Sequence, residues 1–358
     1  MAELQLVWNW QPALYLFLGG MGAGAFVMAT ILFTRDKQTH KKTITMTLWA
    51  SALSLIIGLI LLLTELTFPL RGLILWESFS NLSSWMALGA WIVFVALIVF
   101  VVAAILMTDR FYALIGQKDK PAEALLMMRN VFVYLGAICG IGVAVYTGIL
   151  LLAAESIPLW NTPLLPALFT VSALATGAAL VEILMLVNAK KDAITGTTRS
   201  TEASAAGVTR ATAATGATSA TATEATGTTP AFFGRLVLVL VLVELVVAIS
   251  FIAVMSTGNG LASPAFEAAQ QSAALFISGT LAPVFWALYV GCGLIIPLVV
   301  AFLALRKPKK NGEPPHSSKL TLVGALGALV GGCALRFIIL LAGLHADYLG
   351  DTIMKIIS

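Results

Sequence analysis

The sequence predicts an all-α integral membrane protein with eight transmembrane helices and both termini on the outer, periplasmic side. Three observations predict it. Of 358 residues, 59% are hydrophobic and only 11% charged, against roughly 25% charged in a soluble domain. Eight apolar stretches each reach the length of about 20 residues that crosses a bilayer's hydrocarbon core. The Lys and Arg residues fall in alternate loops, as the positive-inside rule requires.

The eight stretches run over about 12–33, 46–66, 85–107, 131–153, 164–187, 234–256, 281–304 and 320–342. The first is no cleaved signal peptide: no basic residue precedes it, and it leads into a basic loop rather than a small-residue cleavage site. Loops 34–45, 108–130, 188–235 and 305–319 hold 18 of the 21 Lys and Arg residues, leaving Arg71, Arg336 and Lys355. One helix more or fewer would scramble this asymmetry. It also accounts for the pI near 9.0 without any nucleic-acid partner.

Residues 193–230 are almost entirely Ala, Thr, Gly and Ser. Such a segment has no core to bury and reads as a disordered cytoplasmic linker. It divides the chain into 1–192, with helices one to five, and 231–358, with helices six to eight. Outside loops 67–84, which holds Trp76, and 257–280 each suggest a short surface helix. Small residues recur at four-residue spacing in Gly136, Gly140, Ala144 and Gly148, and in Gly324, Ala328 and Gly332. The opening helix carries Gly19, Gly20, Gly22 and Gly24. These patterns predict close helix packing rather than chemistry.

Several chemistries are excluded. His40 and His316 lie in inside loops and His345 just past the last helix, so no pair is placed to ligate a haem within the membrane. Cys139, Cys292 and Cys333 sit singly on three helices, whereas iron–sulfur clusters need grouped thiolates. No phosphate-loop or dinucleotide motif is present. The chain is expected to bind no haem, iron–sulfur cluster or other redox metal.

Ionisable residues inside a membrane mark functional sites by default. Glu182 lies late in helix five, Glu244 near the middle of helix six and Arg336 in the outward half of helix eight. Glu65 and Glu155 close the outer ends of helices two and four. A salt bridge that merely holds the bundle together is the competing reading for Glu244 and Arg336, and interfacial solvation for Glu65 and Glu155. Tyr146 lies about two turns before the outer end of helix four. An apolar slot, a hydroxyl donor and a titratable group near water are what a quinone site needs. A secondary transporter or a proton-conducting subunit without quinone chemistry is the alternative; Pro283 and Pro297 interrupt helix seven, but the matching pair that a transporter's repeats would show does not occur in the first half.

Four stretches bring a family into view. They are WNWQPALYLFLGGMGAGAF (8–26), ELTFPLRGLILWESFSNLSSWMALGAW (65–91), YTGILLLAAESIPLWNTPLLPALFTVSALATGAAL (146–180) and LVGGCALRFIILLAG (329–343). With them the chain resembles the polysulfide reductase NrfD-like family of integral membrane subunits. The resemblance implies two four-helix bundles and a membrane anchor that exchanges electrons between menaquinone or ubiquinone and a ferredoxin-like iron–sulfur subunit. A molybdopterin catalytic subunit usually completes the complex.

Carried over by position, the quinone pocket falls on Asn9, Trp10, Gln11 and Tyr146, and the family's acidic or His position on Glu65; Tyr15 and Glu155 are further candidates for the quinone wall. Glu65 and Tyr146 take the proton-handling role, and Glu65, Glu182, Glu244 and Arg336 form a candidate proton path. Two departures stand out. The family's Leu-Gly-Arg-Pro element reads Leu66-Thr67-Phe68-Pro69, with Arg71 the nearest arginine. Trp10, Gln11 and Pro12 occupy the region where some relatives place a His, which makes Glu65 the expected proton acceptor.

Overall fold

The computed structural model describes residues 3–4, 10–65, 85–115, 122–205, 219–257, 263–306 and 318–345. Eight helices among them are long and apolar enough to cross a membrane. They are α1 (Trp10–Arg35), α2 (Lys41–Glu65), α3 (Trp85–Met107), α5 (Glu123–Leu152), α6 (Leu164–Ala205), α7 (Ser219–Thr257), a π-helical segment (Val284–Ile295) continuing into α9 (Ile296–Arg306), and α10 (Ser318–Leu341). Two shorter helices, α4 (Asp109–Leu114) and α8 (Ser263–Ile277), lie between spans. The protein is thus a multi-pass membrane protein. Its apolar exposure follows: Ile57, Ile60, Val95, Ile98, Val246 and Ile249 point outward, where lipid rather than water would meet them.

Short connections such as 36–40 between α1 and α2 and 153–163 between α5 and α6 make those spans run antiparallel, and α1 and α6 take the centre. α1 packs against α2, α5, α6 and α10; α6 packs against α1, α2, α5, α7 and α10. α3 closes against α2 and α5, while the π-segment and α9 lie between α7 and α10. In α1, 78% of the most apolar window is buried, against 28% in α7. A helix surrounded by others needs an apolar surface all round, and small residues where backbones meet.

The glycines of α1 divide accordingly. Gly24 meets Gly177 and the Ala173 carbonyl of α6 so closely that a Cβ on either glycine would overlap backbone. Gly22 faces Ser51 and Ser54 of α2, and Gly20 faces Ala173 and Arg336. Gly19 faces open space, so the run is not one packing surface. On α10, likewise, Gly324, Gly327 and Gly331 lie against Val300, Cys292 and Gly293, whereas Gly332 lies against Thr176 of α6. The four-residue spacing of Gly324, Ala328 and Gly332 therefore does not trace a single interface: the steps of three and four through 324, 327 and 331 follow the helix face instead.

The two ends of the described chain meet. Glu3 pairs with His345 and Leu4 with Leu344 in a two-residue antiparallel ladder, which puts both at one end of the bundle. α8 forms within the loop predicted to hold a surface helix. It buries Ala265, Ala268, Ala269, Ala273 and Phe276 against α7 and the π-segment. The loop with Trp76 lies outside the described residues. So does 206–218, the centre of the Ala/Thr-rich stretch, whose flanks continue α6 to Ala205 and begin α7 at Ser219.

The Gly24 crossing gives a direct check. Gly24→Leu forces α1 away from α6 and costs about 1–3 kcal/mol or more, which lowers the melting temperature of the detergent-purified protein. Gly19→Leu leaves it unchanged. Equal effects at both positions would contradict the packing described.

Candidate functional site: a buried arginine among five spans

Arg336 of α10 is fully buried, although it sits in an apolar run. An Arg side chain on a helix leans toward the N-terminus, and Nη1 accordingly donates to the Gly332 carbonyl one turn back, at 3.1 Å. Nη1 also donates to Ser172 Oγ at 2.5 Å, and Nη2 donates to the Phe169 carbonyl at 3.0 Å, both on α6. A carbonyl has two lone pairs, so Phe169 can serve its own helix and the guanidinium together. The Phe169 ring lies under the cation, 4.7 Å from Cζ to the ring centre. Gly20 of α1 completes the pocket, since a Cβ there would stand 3.4 Å from Nη2.

The counter-charge comes from α7. Glu244 is buried, lies beside Ser172 and is within electrostatic range of Arg336. Among the described residues the ion pair found is Lys41 with Asp109, so Glu244 and Arg336 face each other without direct contact, with Ser172 next to both. Tyr289 approaches both from the π-segment; it is buried, and its hydroxyl has no hydrogen-bond partner among the described residues. The π-segment lies between Pro283 and Pro297. Pro297 lacks an N–H and would crowd the carbonyl four residues back in an α-helix, and the wider π register ends just before it. Trp160, in the α5–α6 turn, donates Nε1–H to the Ile339 carbonyl at 2.8 Å and so fixes α10 just beyond Arg336.

A second group lies where α1, α3 and α6 start and α2 and α5 finish. Tyr146 is buried on α5, and its ring occupies the space a Cβ on Gly89 of α3 would fill. Tyr15 is half-buried beside Gly58 of α2, Gln11 is half-buried, and Trp10 is exposed. Glu155 is exposed in the turn after α5. Asn9 and the side chain of Glu65 lie outside the described residues. Glu182 is half-buried on α6, ten residues past Ser172, or about 15 Å along the axis. The structure therefore joins Glu244 to Arg336 and leaves Glu182 apart.

Sequence reasoning found Glu244 and Arg336 because a charge in an apolar segment is conspicuous. It missed Ser172, Tyr289, Trp160, Gly20 and Gly89. Only the prolines flanking Tyr289 gave a signal; a lone Ser, Trp or Gly in an apolar run is ordinary.

Eight spans around buried polar groups, with no folded domain outside the membrane among the described residues, define a polytopic helical membrane protein with an internal charge cluster. Comparison with known proteins gives the family. The model described as "Polysulphide reductase, NrfD" matches residues 2–201 and 201–346. The chain belongs to that family. It is 27% identical to the C subunit of polysulfide reductase from Wolinella succinogenes over 352 residues, covering 94% of each protein. It is also 27% identical to protein NrfD of Escherichia coli over 349 residues, covering 94% of this chain and 95% of that one.

The cluster predicts a double-mutant result. Breaking a buried charge pair from one side costs about 3–5 kcal/mol. Arg336→Gln should lower thermal stability strongly, and Arg336→Gln with Glu244→Gln should recover most of the loss. Additive losses would show that the two charges are not coupled.

Proposed function

We propose that this chain is the quinone-reactive membrane anchor of a respiratory oxidoreductase complex in the cytoplasmic membrane, its spans grouped as two four-helix bundles and its termini outside. It exchanges electrons with a ferredoxin-like iron–sulfur partner, which serves a molybdopterin catalytic subunit. The observation that carries this is the end-to-end match to a protein named as one subunit of polysulfide reductase. Three single cysteines on three spans favour electron transfer to a partner's centre rather than to one held here.

The outer-end residues fit a quinone. Oxidation of quinol yields two electrons and two protons, so its site needs an apolar slot, a group that hydrogen-bonds its oxygens and an exit for protons. Tyr146 supplies the hydroxyl, and Gly89 lets its ring sit against the α3 backbone. Trp10, Gln11 and Tyr15 supply the wall of the slot from the start of α1, with Asn9 just before them in sequence. Glu155, exposed beyond Tyr146, delivers protons to water, and Glu65 shares that task at the end of α2.

The Arg336–Ser172–Glu244 cluster serves this site by holding a proton acceptor inside the bundle. Arg336 faces Glu244 across Ser172, and a charged group in so dry a place responds strongly to any change in nearby charge. Tyr289 stands ready to exchange a hydrogen bond with either partner. Glu182 extends the path toward the opposite face. This arrangement alone also favours a second reading, a proton-conducting subunit with no quinone chemistry.

Kinetics separate the two. Tyr146→Phe should lower quinol-dependent electron transfer at least about tenfold, in the range of a lost acid–base group, with the partner subunits retained. An unchanged rate removes Tyr146 from the site and favours the second reading. Glu65→Gln should also slow the reaction; loss of assembly alone would make Glu65 structural.

A further inference from the structure

At the opposite end of the bundle, where α1 and α3 finish and α2 and α5 begin, lies a pocket of about 300 Å³. Its lining is Lys37, Gln38, Lys41, Arg129, Met107 and Leu126. Three of the six are cations. Asp109 pairs with Lys41 from an exposed position, which leaves Lys37 and Arg129 without an acidic partner among the described residues.

Arg129 is the informative member. It is only 8% exposed, and its Nε has no hydrogen-bond partner. An arginine desolvated to that degree is costly unless something answers its charge. What the protein offers is the Phe33 ring, 5.9 Å from its Cζ, and Lys37 shares that ring at 4.6 Å from Nζ. Lys37 has one further polar contact, a long hydrogen bond of 3.4 Å to Asn130 Oδ1. Burial first, then the charges of Arg129 and Lys41, hold the Lys37 ammonium below the ordinary lysine value. Two cations share one aromatic ring, and an anion is the missing component.

Location selects the anion. This end of the bundle joins the loops that carry most of the basic residues, at the level where the spans leave the apolar zone. Met107 and Leu126 line the pocket beside the cations, and Met127, Met128 and Leu114 are exposed nearby. An amphiphile has a place there for both of its parts, and a free anion for only one. Basic pockets between spans on the cytoplasmic side suit anionic headgroups.

We infer that this pocket binds the phosphate of an anionic membrane lipid, with the Arg129 guanidinium and the Lys37 ammonium as its cationic ligands and Gln38 as a further donor. The site lies at the opposite end of α1 and α5 from Tyr146, so its occupancy is independent of the quinone reading.

Native mass spectrometry and thermal melting of the full chain in neutral detergent test it, with phosphatidylglycerol, phosphatidylcholine and inorganic phosphate as probes. Phosphatidylglycerol should remain bound and raise the melting temperature, while phosphatidylcholine and millimolar phosphate should not. Arg129→Gln should weaken lipid retention at least tenfold, and Arg129→Lys should restore part of it. Should Arg129→Gln not fold, Lys37→Gln, at a half-exposed position, gives the same readout. Equal retention of both lipids, stabilisation by inorganic phosphate alone, or undiminished retention in the Lys37 and Arg129 variants would overturn the proposal.

Discussion

Everything near the centre of this molecule is arranged around one guanidinium that cannot reach water. Arg336 is fully buried, and a cation at that depth is costly unless its protons and charge are met. Each neighbour answers part of that demand. α10 and α6 give carbonyls, Ser172 gives an acceptor, Glu244 gives a nearby opposite charge, Phe169 gives a ring face, and Gly20 gives room. Because those groups come from separate spans, the charge specifies which helices meet and in what register. Such specificity is the best-attested use of buried polar groups.

The Gly24–Gly177 crossing makes this geometry attainable. With the α1 and α6 backbones in contact, Gly20 comes close enough to enclose the guanidinium from the side that α10 and α6 leave open. Trp160 adds a tie from the α5–α6 turn to the last turn of α10. The polar centre is therefore set by small residues as much as by charged ones. Along the spans it lies between the group around Tyr146 and the end that holds Glu182.

The eight spans were legible because hydropathy and basic-residue placement are properties of the chain alone. Glu244 and Arg336 were legible for the same reason. Their connection was not: Ser172 is one hydroxyl among many in apolar segments, and only folding places it between two charges. The glycine faces were partly legible. A four-residue spacing showed that helices would approach closely, yet Gly324 and Gly332 turn to different neighbours because a helix advances 3.6 residues per turn. The π register around Tyr289 left only its flanking prolines as a trace. The outer-end reading rested on a resemblance; the described structure locates Tyr146, Trp10, Gln11, Tyr15 and Glu155, while Asn9 and the Glu65 side chain lie outside it.

Electron transfer to a partner by way of quinol is the claim on which the functional account stands. The most direct measurement follows the iron–sulfur clusters of the isolated complex by electron paramagnetic resonance on adding quinol or quinone, with and without this chain. The account predicts that the clusters change oxidation state only when the chain is present. Clusters that respond equally without it, or that never respond with it, would contradict the account.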